Sequence, residues 1–333
     1  MDNIFSRSDY LYMRRALQLA ANGRGHVSPN PMVGAVIVAP DGRIIGEGWH
    51  RRYGGPHAEV NAVNSVMESD RKLLGQSTIY VTLEPCSHYG KTPPCAKLLV
   101  DIGIGRVIVG SGDPNPRVAG RGIAMIREAG IPVLEGLMSD ECSELNKTFM
   151  TAHTLHRPFV TLKWAQSADG YMDRKRGESE AAAKFSTPLT SLIVHDRRAT
   201  HDAIAVGART AILDRPRLDT RLVAGKSPIR IVFDRRGMAT CENCLHIQED
   251  KPLADVLEDL YREHNITSLL VEGGASLLGE FINCGLWDEA YIEISPASLG
   301  AEGAVKAPSL PSDLLNGVEK IDGNSIYSFK NQR

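Results

Sequence analysis

The sequence predicts a two-domain α/β protein, and three observations carry that expectation. Short apolar, β-branched runs alternate with helix-period segments along most of the chain. At 333 residues the chain is too long for one ordinary core and suits two domains of roughly 150 to 180 residues each. Arg157-Pro158 follows the last helical stretch of the first half and marks the boundary, which gives domains over 1–150 and 157–333.

In the first half, Ser8 is placed to cap a helix running to residue 21, with Leu11, Leu17 and Leu19 among its apolar residues. Strands over 33–38 and 44–49 flank Pro40-Asp41-Gly42-Arg43, a hairpin signal. His57 opens a helix over 58–67. Residues 78–83 (Thr-Ile-Tyr-Val-Thr-Leu) read as a buried strand, ended by Pro85 because proline cannot continue the ladder. Pro93-Pro94 sits at the mouth of a helix over 95–100, where missing N–H groups cost nothing. A strand over 106–110, a helix over 118–129, a strand over 131–134 and a helix over 140–153 complete a sheet covered by helices.

The second half opens with a strand over 159–165 and the turn Gln166-Ser167-Ala168-Asp169-Gly170. Ser186-Thr187-Pro188 starts a helix through Arg198, and a strand over 203–206 leads into a short helical piece reaching Asp214. Further strands fall at 229–233 and 268–271. The latter runs into Glu272-Gly273-Gly274-Ala275-Ser276 and a helix over 277–283. Small residues delivered to a helix start suit an anion, although no Gly-x-Gly-x-x-Gly is present. The roughly 18 residues between Asp234 and a helix near Pro252 show no strand, so this domain reads as shortened after 234. They hold Cys241-Glu242-Asn243-Cys244 and His246, either two ordinary loop cysteines or part of a metal site lacking a fourth ligand.

The formal net charge of −2, from 38 basic and 40 acidic residues, argues against a nucleic-acid groove as the main surface. The N-terminus has no apolar signal core, and no apolar run approaches the roughly 20 residues that span a membrane. Six cysteines in a chain of this size, two of them assigned to metal, indicate a reducing compartment. The expectation is a soluble cytoplasmic enzyme without nucleic-acid or membrane partners.

The chemistry concentrates in His57-Ala58-Glu59 and the run from Pro85-Cys86 to Pro94-Cys95. One histidine, two cysteines and a glutamate that is not a ligand are the parts of a hydrolytic zinc site. Zinc on three protein ligands keeps a fourth position for water and lowers that water's pKa to roughly 7. His-x-Glu followed by Pro-Cys and a second Cys is the signature of zinc nucleobase deaminases. Eight residues separate the cysteines here, against the usual two. A structural zinc site would present four ligands in two close pairs, and only His50 and His88 lie near enough to add one.

These motifs, with Asn30-Pro31-Met32-Val33-Gly34, Gly48-Trp49-His50, Gly90-Lys91-Thr92-Pro93-Pro94-Cys95 and Asp113-Pro114-Asn115-Pro116, make the chain resemble the bifunctional deaminase–reductases of riboflavin biosynthesis, the RibD family. The resemblance implies a cytidine-deaminase-like α/β/α sandwich, zinc on His57, Cys86 and Cys95, and Glu59 as proton shuttle. It implies deaminase substrate contacts at Asn30, His50, His88, Lys91, Asp113 and Asn115. In the second half, Lys163, Ser167-Ala168-Asp169-Gly170 and Val271-Glu272-Gly273-Gly274 match the dihydrofolate-reductase-like reductase domain of the same enzymes. That match implies NADPH contacts at Ala165, Thr210, Asp214, Gly274, Ala275 and Ser276, and substrate contacts at Arg198, Leu218, Arg221 and Glu272. The implied substrate is a small pyrimidine carrying a phosphoribosylamino group, and the implied assembly a homodimer or homotetramer.

Two alternatives remain open at this level. The second half could be a degenerate domain, since residues 179–185 lack the tryptophan common in the family and the 234–252 stretch lacks a strand. The chain could also deaminate a base in a polynucleotide, against which its near-neutral charge stands.

Overall fold

Residues 4–89, 93–115, 119–177, 180–248 and 250–331 are described by a computed structural model. The chain divides into two units, Met1–Leu155 and His156–Arg333.

In the first unit the chain runs α1 (Arg7–Ala21), β1 (Gly34–Val38), β2 (Ile44–Trp49), α2 (Ala58–Ser65), a 3₁₀ helix (Glu68–Gln76), β3 (Thr78–Leu83), α3 (Cys95–Asp101), β4 (Arg106–Ser111), α4 (Arg121–Glu128), β5 (Val133–Glu135), α5 (Ser139–Leu145) and α6 (Lys147–Leu155). The sheet order is β2-β1-β3-β4-β5, with β3, β4 and β5 parallel and β1 antiparallel to both its neighbours. Successive strand residues face opposite layers. Ile37, Ile79, Val81 and Val107 pack with Ala62 of α2, Leu99 of α3 and Ile126 of α4. Val36, Tyr80 and Ile108 pack on the other face with Met13, Ala16 and Leu19 of α1 and Cys142 of α5. This is the α/β/α sandwich, and burial on both faces explains why β3 reads as a continuous apolar run.

Three local readings change. The cap of α1 is Ser6, not Ser8, because Asp9 at the third helical position completes a capping box with it. The fourth helix begins at Arg121, and residues 116–118 lie outside the described residues. The helix expected over 140–153 is two helices that break at Asn146, whose side chain is committed elsewhere.

The second unit contains β6 (Phe159–Gln166), β7 (Tyr171–Arg174), α7 (Pro188–Ala199), β8 (Ala203–Gly207), α8 (Ala208–Asp214), β9 (Ile229–Phe233), β10 (Leu245–Ile247), α9 (Leu253–Arg262), β11 (Ser268–Val271), α10 (Ala275–Asn283), β12 (Glu289–Ile294), β13 (Ala304–Lys306), β14 (Leu315–Ile321) and β15 (Asn324–Lys330). Eight strands form one sheet, β10-β9-β8-β11-β6-β12-β15-β14, and β7 pairs separately with β13. From β10 to β12 all neighbours are parallel; β15 is antiparallel to β12 and β14. Leu253, Val256, Leu257 and Leu260 recur at helical spacing, so α9 buries one stripe against Leu269 and Val271, beside Leu278 and Phe281 of α10.

The stretch after Asp234 is not strandless. Three residues, Leu245–Ile247, add β10 to the sheet edge in parallel with β9. The run is too short and too mixed to carry a strand signal in the sequence. Among the described residues no helix is long and apolar enough to cross a membrane.

Candidate active sites

The first site is assembled where β2, β3 and β4 end. A Cβ on Gly48 would lie 2.3 Å from Ala62 N and 2.4 Å from Ala58 O, so only glycine lets the backbone of α2 rest on β2. That seating places His57 at the N-cap of α2. Asn61 Nδ2 donates to Trp49 O (2.8 Å) and Pro56 O (3.2 Å), tying the intervening loop to the helix.

Cys86 follows β3, and Glu84 just before it is buried. The Glu84 carboxylate accepts N–H groups from Gly120 (2.9 Å), Gly122 (3.1 Å) and Ile123 (3.4 Å) at the start of α4, where the helix dipole favours a negative charge. A Cβ on Gly122 would fall 1.9 Å from Pro85 O. Glu84 and Gly122 therefore fix the chain on which Cys86 is carried, a role the sequence reading missed.

Cys95 is the first residue of α3, and its N–H donates to Cys86 Sγ at 3.3 Å. His57 Nδ1 stands 3.6 Å from Cys86 Sγ and 3.4 Å from Cys95 Sγ. The three donor atoms lie within 4.8 Å of one another, and no other group of three such donors occurs among the described residues. The bond from Cys95 and the His57 ring pull the Cys86 thiol well below its ordinary value, while that same bond and burial push Cys95 up. The two sulfurs thus share one proton where a cation would displace it. An imidazole and two soft thiolates with an open fourth side fit catalytic zinc.

Glu59, in the first turn of α2, is 3 % exposed, and its Oε2 meets no hydrogen-bond partner. Burial, reinforced by the charge of Cys86, raises its carboxyl to about 7. Such a group holds a proton near neutral pH and can give it up, as a general acid–base must.

His50 is buried immediately after β2 and stacks edge-on to His57, with ring centroids 5.4 Å apart. Its Nδ1 lies 3.1 Å from Pro56 O, which can only accept, so Nδ1 carries the hydrogen. Burial lowers the His50 pKa, with His57 adding to the effect, so the ring is neutral and Nε2 accepts from Asn30 Nδ2 at 3.3 Å. Asp113, after β4, accepts from Asn115 N–H (2.8 Å); burial raises its carboxyl, and it interacts electrostatically with Glu84, His88 and Cys86. His88 is exposed on the loop between β3 and α3. Lys91 lies outside the described residues.

In the second unit, Glu272 follows β11 and gives both oxygens to Arg198 of α7: Nε to Oε1 at 2.9 Å and Nη2 to Oε2 at 2.7 Å. Burial alone would raise the Glu272 carboxyl, but the Arg198 fork more than offsets it and holds the group below its ordinary value. Arg221, expected to contact substrate, pairs with Asp219. The remaining Arg198 nitrogen, Nη1, donates to Asp219 O at 3.3 Å. The Leu218 side chain is buried with Ile204, Val206 and Val232, so only its main chain, at φ 53°, is left to meet a ligand.

A cavity of about 920 Å³ opens at the carboxyl ends of β8, β9 and β11. Thr210, Asp214, Glu272, Gly274, Ala275 and Ser276 line it, five of them predicted cofactor contacts and Glu272 a predicted substrate contact. Gly274 caps α10, and a Cβ there would stand 3.5 Å from Thr210 Oγ1, filling the space between two helix starts. Ala165, on β6, does not line this cavity. Asp214 pairs with Arg176, which also holds Asp173 at 2.7 Å; the sequence gave no signal for that arginine. The Cys241 and Cys244 sulfurs lie side by side and His246 Nε2 donates to Cys241 O (3.3 Å); among the described residues no group of three metal donors occurs there.

Comparison with known proteins covers both units. Residues 6–111 match the cytidine and deoxycytidylate deaminase zinc-binding region, and residues 158–322 match the RibD C-terminal domain. The riboflavin biosynthesis protein RibD of Actinobacillus pleuropneumoniae is 40% identical over 331 residues, covering 89% of this chain and 86% of that protein. Its Escherichia coli counterpart is 36% identical over 366 residues, covering 98% and 96%. The crystal structure of a diaminohydroxyphosphoribosylaminopyrimidine deaminase/5-amino-6-(5-phosphoribosylamino)uracil reductase from Thermotoga maritima superposes with a TM-score of 0.86 at 35% identity, covering 98% of this chain and 99% of that one.

Proposed function

The chain belongs to the RibD family of riboflavin biosynthesis proteins, and on that premise we propose how its own residues divide two successive reactions. It is a bifunctional enzyme, a zinc-dependent deaminase and an NADPH-dependent reductase. Its deaminase domain spans 1–150 and its reductase domain 157–333. The substrate is 2,5-diamino-6-(5-phosphoribosylamino)pyrimidin-4(3H)-one, which loses a ring amine to water and then has its ribosyl chain reduced to ribityl.

The observation that carries the first step is Glu59 Oε2, buried without a partner beside the His57, Cys86 and Cys95 donors. His57, Cys86 and Cys95 would hold zinc, which when bound would supply Lewis acidity to activate water near neutral pH. Glu59 accepts the proton of the attacking water and delivers it to the departing ammonia. Asn30, fixed by His50, reads the pyrimidine edge; Asp113 and Asn115 close the carboxyl end of β4. His88 and Lys91 meet the phosphoribosyl group from the loop between β3 and α3.

For the second step, Thr210, Asp214, Gly274, Ala275 and Ser276 hold NADPH, whose nicotinamide supplies the hydride, and Ala165 approaches it from β6. Glu272, Arg198, Leu218 and Arg221 orient the sugar phosphate. The short strand β10 removes one of the two reasons to regard this domain as degenerate, the missing strand after Asp234. Cysteine ligands for zinc suit a cytoplasmic location, and a homo-oligomer is expected, checked by light scattering.

Mass spectrometry on substrate generated in situ tests both steps. Deamination raises the mass by about one unit and reduction by about two more, the second only with NADPH. A zinc-loaded protein that produces neither shift would overturn the substrate assignment. The first shift alone would overturn the reductase residues named above.

A further inference from the structure

Asn146 stands at the break between α5 and α6, 1 % exposed. Its main chain does the helical work there: its N–H donates to Ser143 O (3.0 Å), and its carbonyl accepts from Met150 N (2.8 Å). The side chain is spent 114 positions away. Asn146 Oδ1 accepts from Met32 N at 2.8 Å, and Nδ2 donates to Met32 O at 2.9 Å. One buried amide thus satisfies both main-chain groups of one residue in a segment with no strand partner of its own.

The segment so held is the one that carries Asn30. Pro31 has no N–H to contribute, and beyond Met32 the carbonyl of Val33 accepts from His50 N (2.9 Å). Asn30 Nδ2 gives one hydrogen to His50 Nε2, which leaves its amide oxygen and its second amide hydrogen to serve a ligand. The path from Asn146 through Met32 and Val33 to Asn30 and His50 consists of hydrogen bonds and covalent chain only.

We propose that Asn146 is a positioning residue for the deamination: by clamping Met32 it holds Asn30 in the orientation that engages the pyrimidine. The proposal rests on the reading of Asn30 as a substrate contact. A residue that only joined two helices would affect folding and leave substrate binding alone. A clamp acts through Asn30, and that can be separated kinetically.

The experiment is a double-mutant cycle of Asn30→Ala and Asn146→Ala in the full-length zinc enzyme. Deaminase KM and kcat are measured, with zinc content and reductase turnover on the deaminated intermediate as controls of folding. Asn30→Ala should raise KM about tenfold, and Asn146→Ala by a comparable factor with kcat changed less than about threefold, as for lost binding that is equal in ground and transition states. The double variant should be no worse than Asn30→Ala, because residues acting through one contact are not additive. If Asn146→Ala does not accumulate as folded protein, Asn146→Ser keeps a neutral polar group that can serve at most one of the two Met32 groups and brings in no charge; its KM should rise about threefold, half the clamp being lost. Additive effects, or an Asn30→Ala effect with none from either Asn146 variant, overturn the clamp alone. An unchanged KM in Asn30→Ala overturns the substrate contact and the clamp together.

Discussion

Glu59 in the first unit is buried, Glu272 in the second is largely so at the wall of a cavity, and their surroundings differ in one respect. Glu272 gives both oxygens to the Arg198 fork, so its charge is satisfied inside the fold and its pKa falls. Glu59 Oε2 meets no donor, and burial raises its carboxyl to about 7. Burying an uncompensated carboxylate is costly enough that such a group ordinarily shifts its pKa and takes a proton. A fold that keeps one anyway keeps it for chemistry. The first unit therefore centres on a proton-transfer group set beside metal donors. The second centres on a satisfied ion pair, and the residues proposed to contact its cofactor line an open cavity.

The largest effect expected from this contrast is on Glu59. Glu59→Gln preserves shape and removes the titrating oxygen, so deamination should fall about a thousandfold, within the range for lost general acid–base catalysis. Zinc content and NADPH-dependent turnover of the deaminated intermediate should stay within about twofold, since the residues proposed to hold NADPH belong to the other unit. A variant that retains a tenth of its deaminase activity would remove Glu59 from the chemistry. Next in size is loss of the metal itself. Dialysis against a chelator should abolish deamination and leave the reductase running, and added Zn²⁺ should restore the first activity; a parallel loss of both would break the division of labour.

How much of this could be read without coordinates follows from the range of each interaction. His57, Glu59, Cys86 and Cys95 were legible because metal ligation demands particular side chains, and few residue types supply it. The alternation of strands and helices was legible because periodicity is local. Glu84 was not, since its meaning lies in three N–H groups some 36 to 39 positions onward. Asn146 was hidden for the same reason, and with it the break in a helix whose composition looked continuous. Strand β14 was missed because none of its seven residues is buried, so it lacks the alternating pattern that marks a half-buried strand. A two-residue turn joins it to β15, which lies inside the sheet between β12 and β14 and buries Asn324 and Phe329.

A third test sharpens the contrast from the other side. Arg198→Ala leaves Glu272 charged and unpaired, and breaking a buried pair in this way costs about 3–5 kcal/mol. Urea unfolding of residues 156–333, followed by hydrogen exchange, should report that loss, together with failure of the reductase. Deaminase KM and kcat should not move by more than about twofold, since the two sites share no partner. A double change to Arg198→Met and Glu272→Leu should recover much of the stability and none of the reductase activity, because an apolar pair replaces the charges without replacing the substrate contacts proposed for them.

The smallest effect is the pH dependence of the same pair. Arg198 holds the Glu272 carboxyl below its ordinary value, so the unfolded chain binds its proton at a higher pH than the folded one. The pair's contribution is fully present above the unfolded glutamate value of about 4.3 and is lost as the pH falls through the lower folded value. Peptides covering residues 190–199 and 268–276 should therefore show constant protection in hydrogen exchange from pH 7 to about 5 and progressive loss below roughly 4.3, after correction for the intrinsic exchange rate. Glu272→Gln should start from lower protection and lack the acid limb, because no proton is taken up there. If wild type and variant lose protection in parallel on acidification, the pair does not set the local stability, and Glu272 would resemble Glu59 more than its geometry indicates. A gap between them that narrows as the pH falls assigns the acid sensitivity of this region to one buried, satisfied carboxylate.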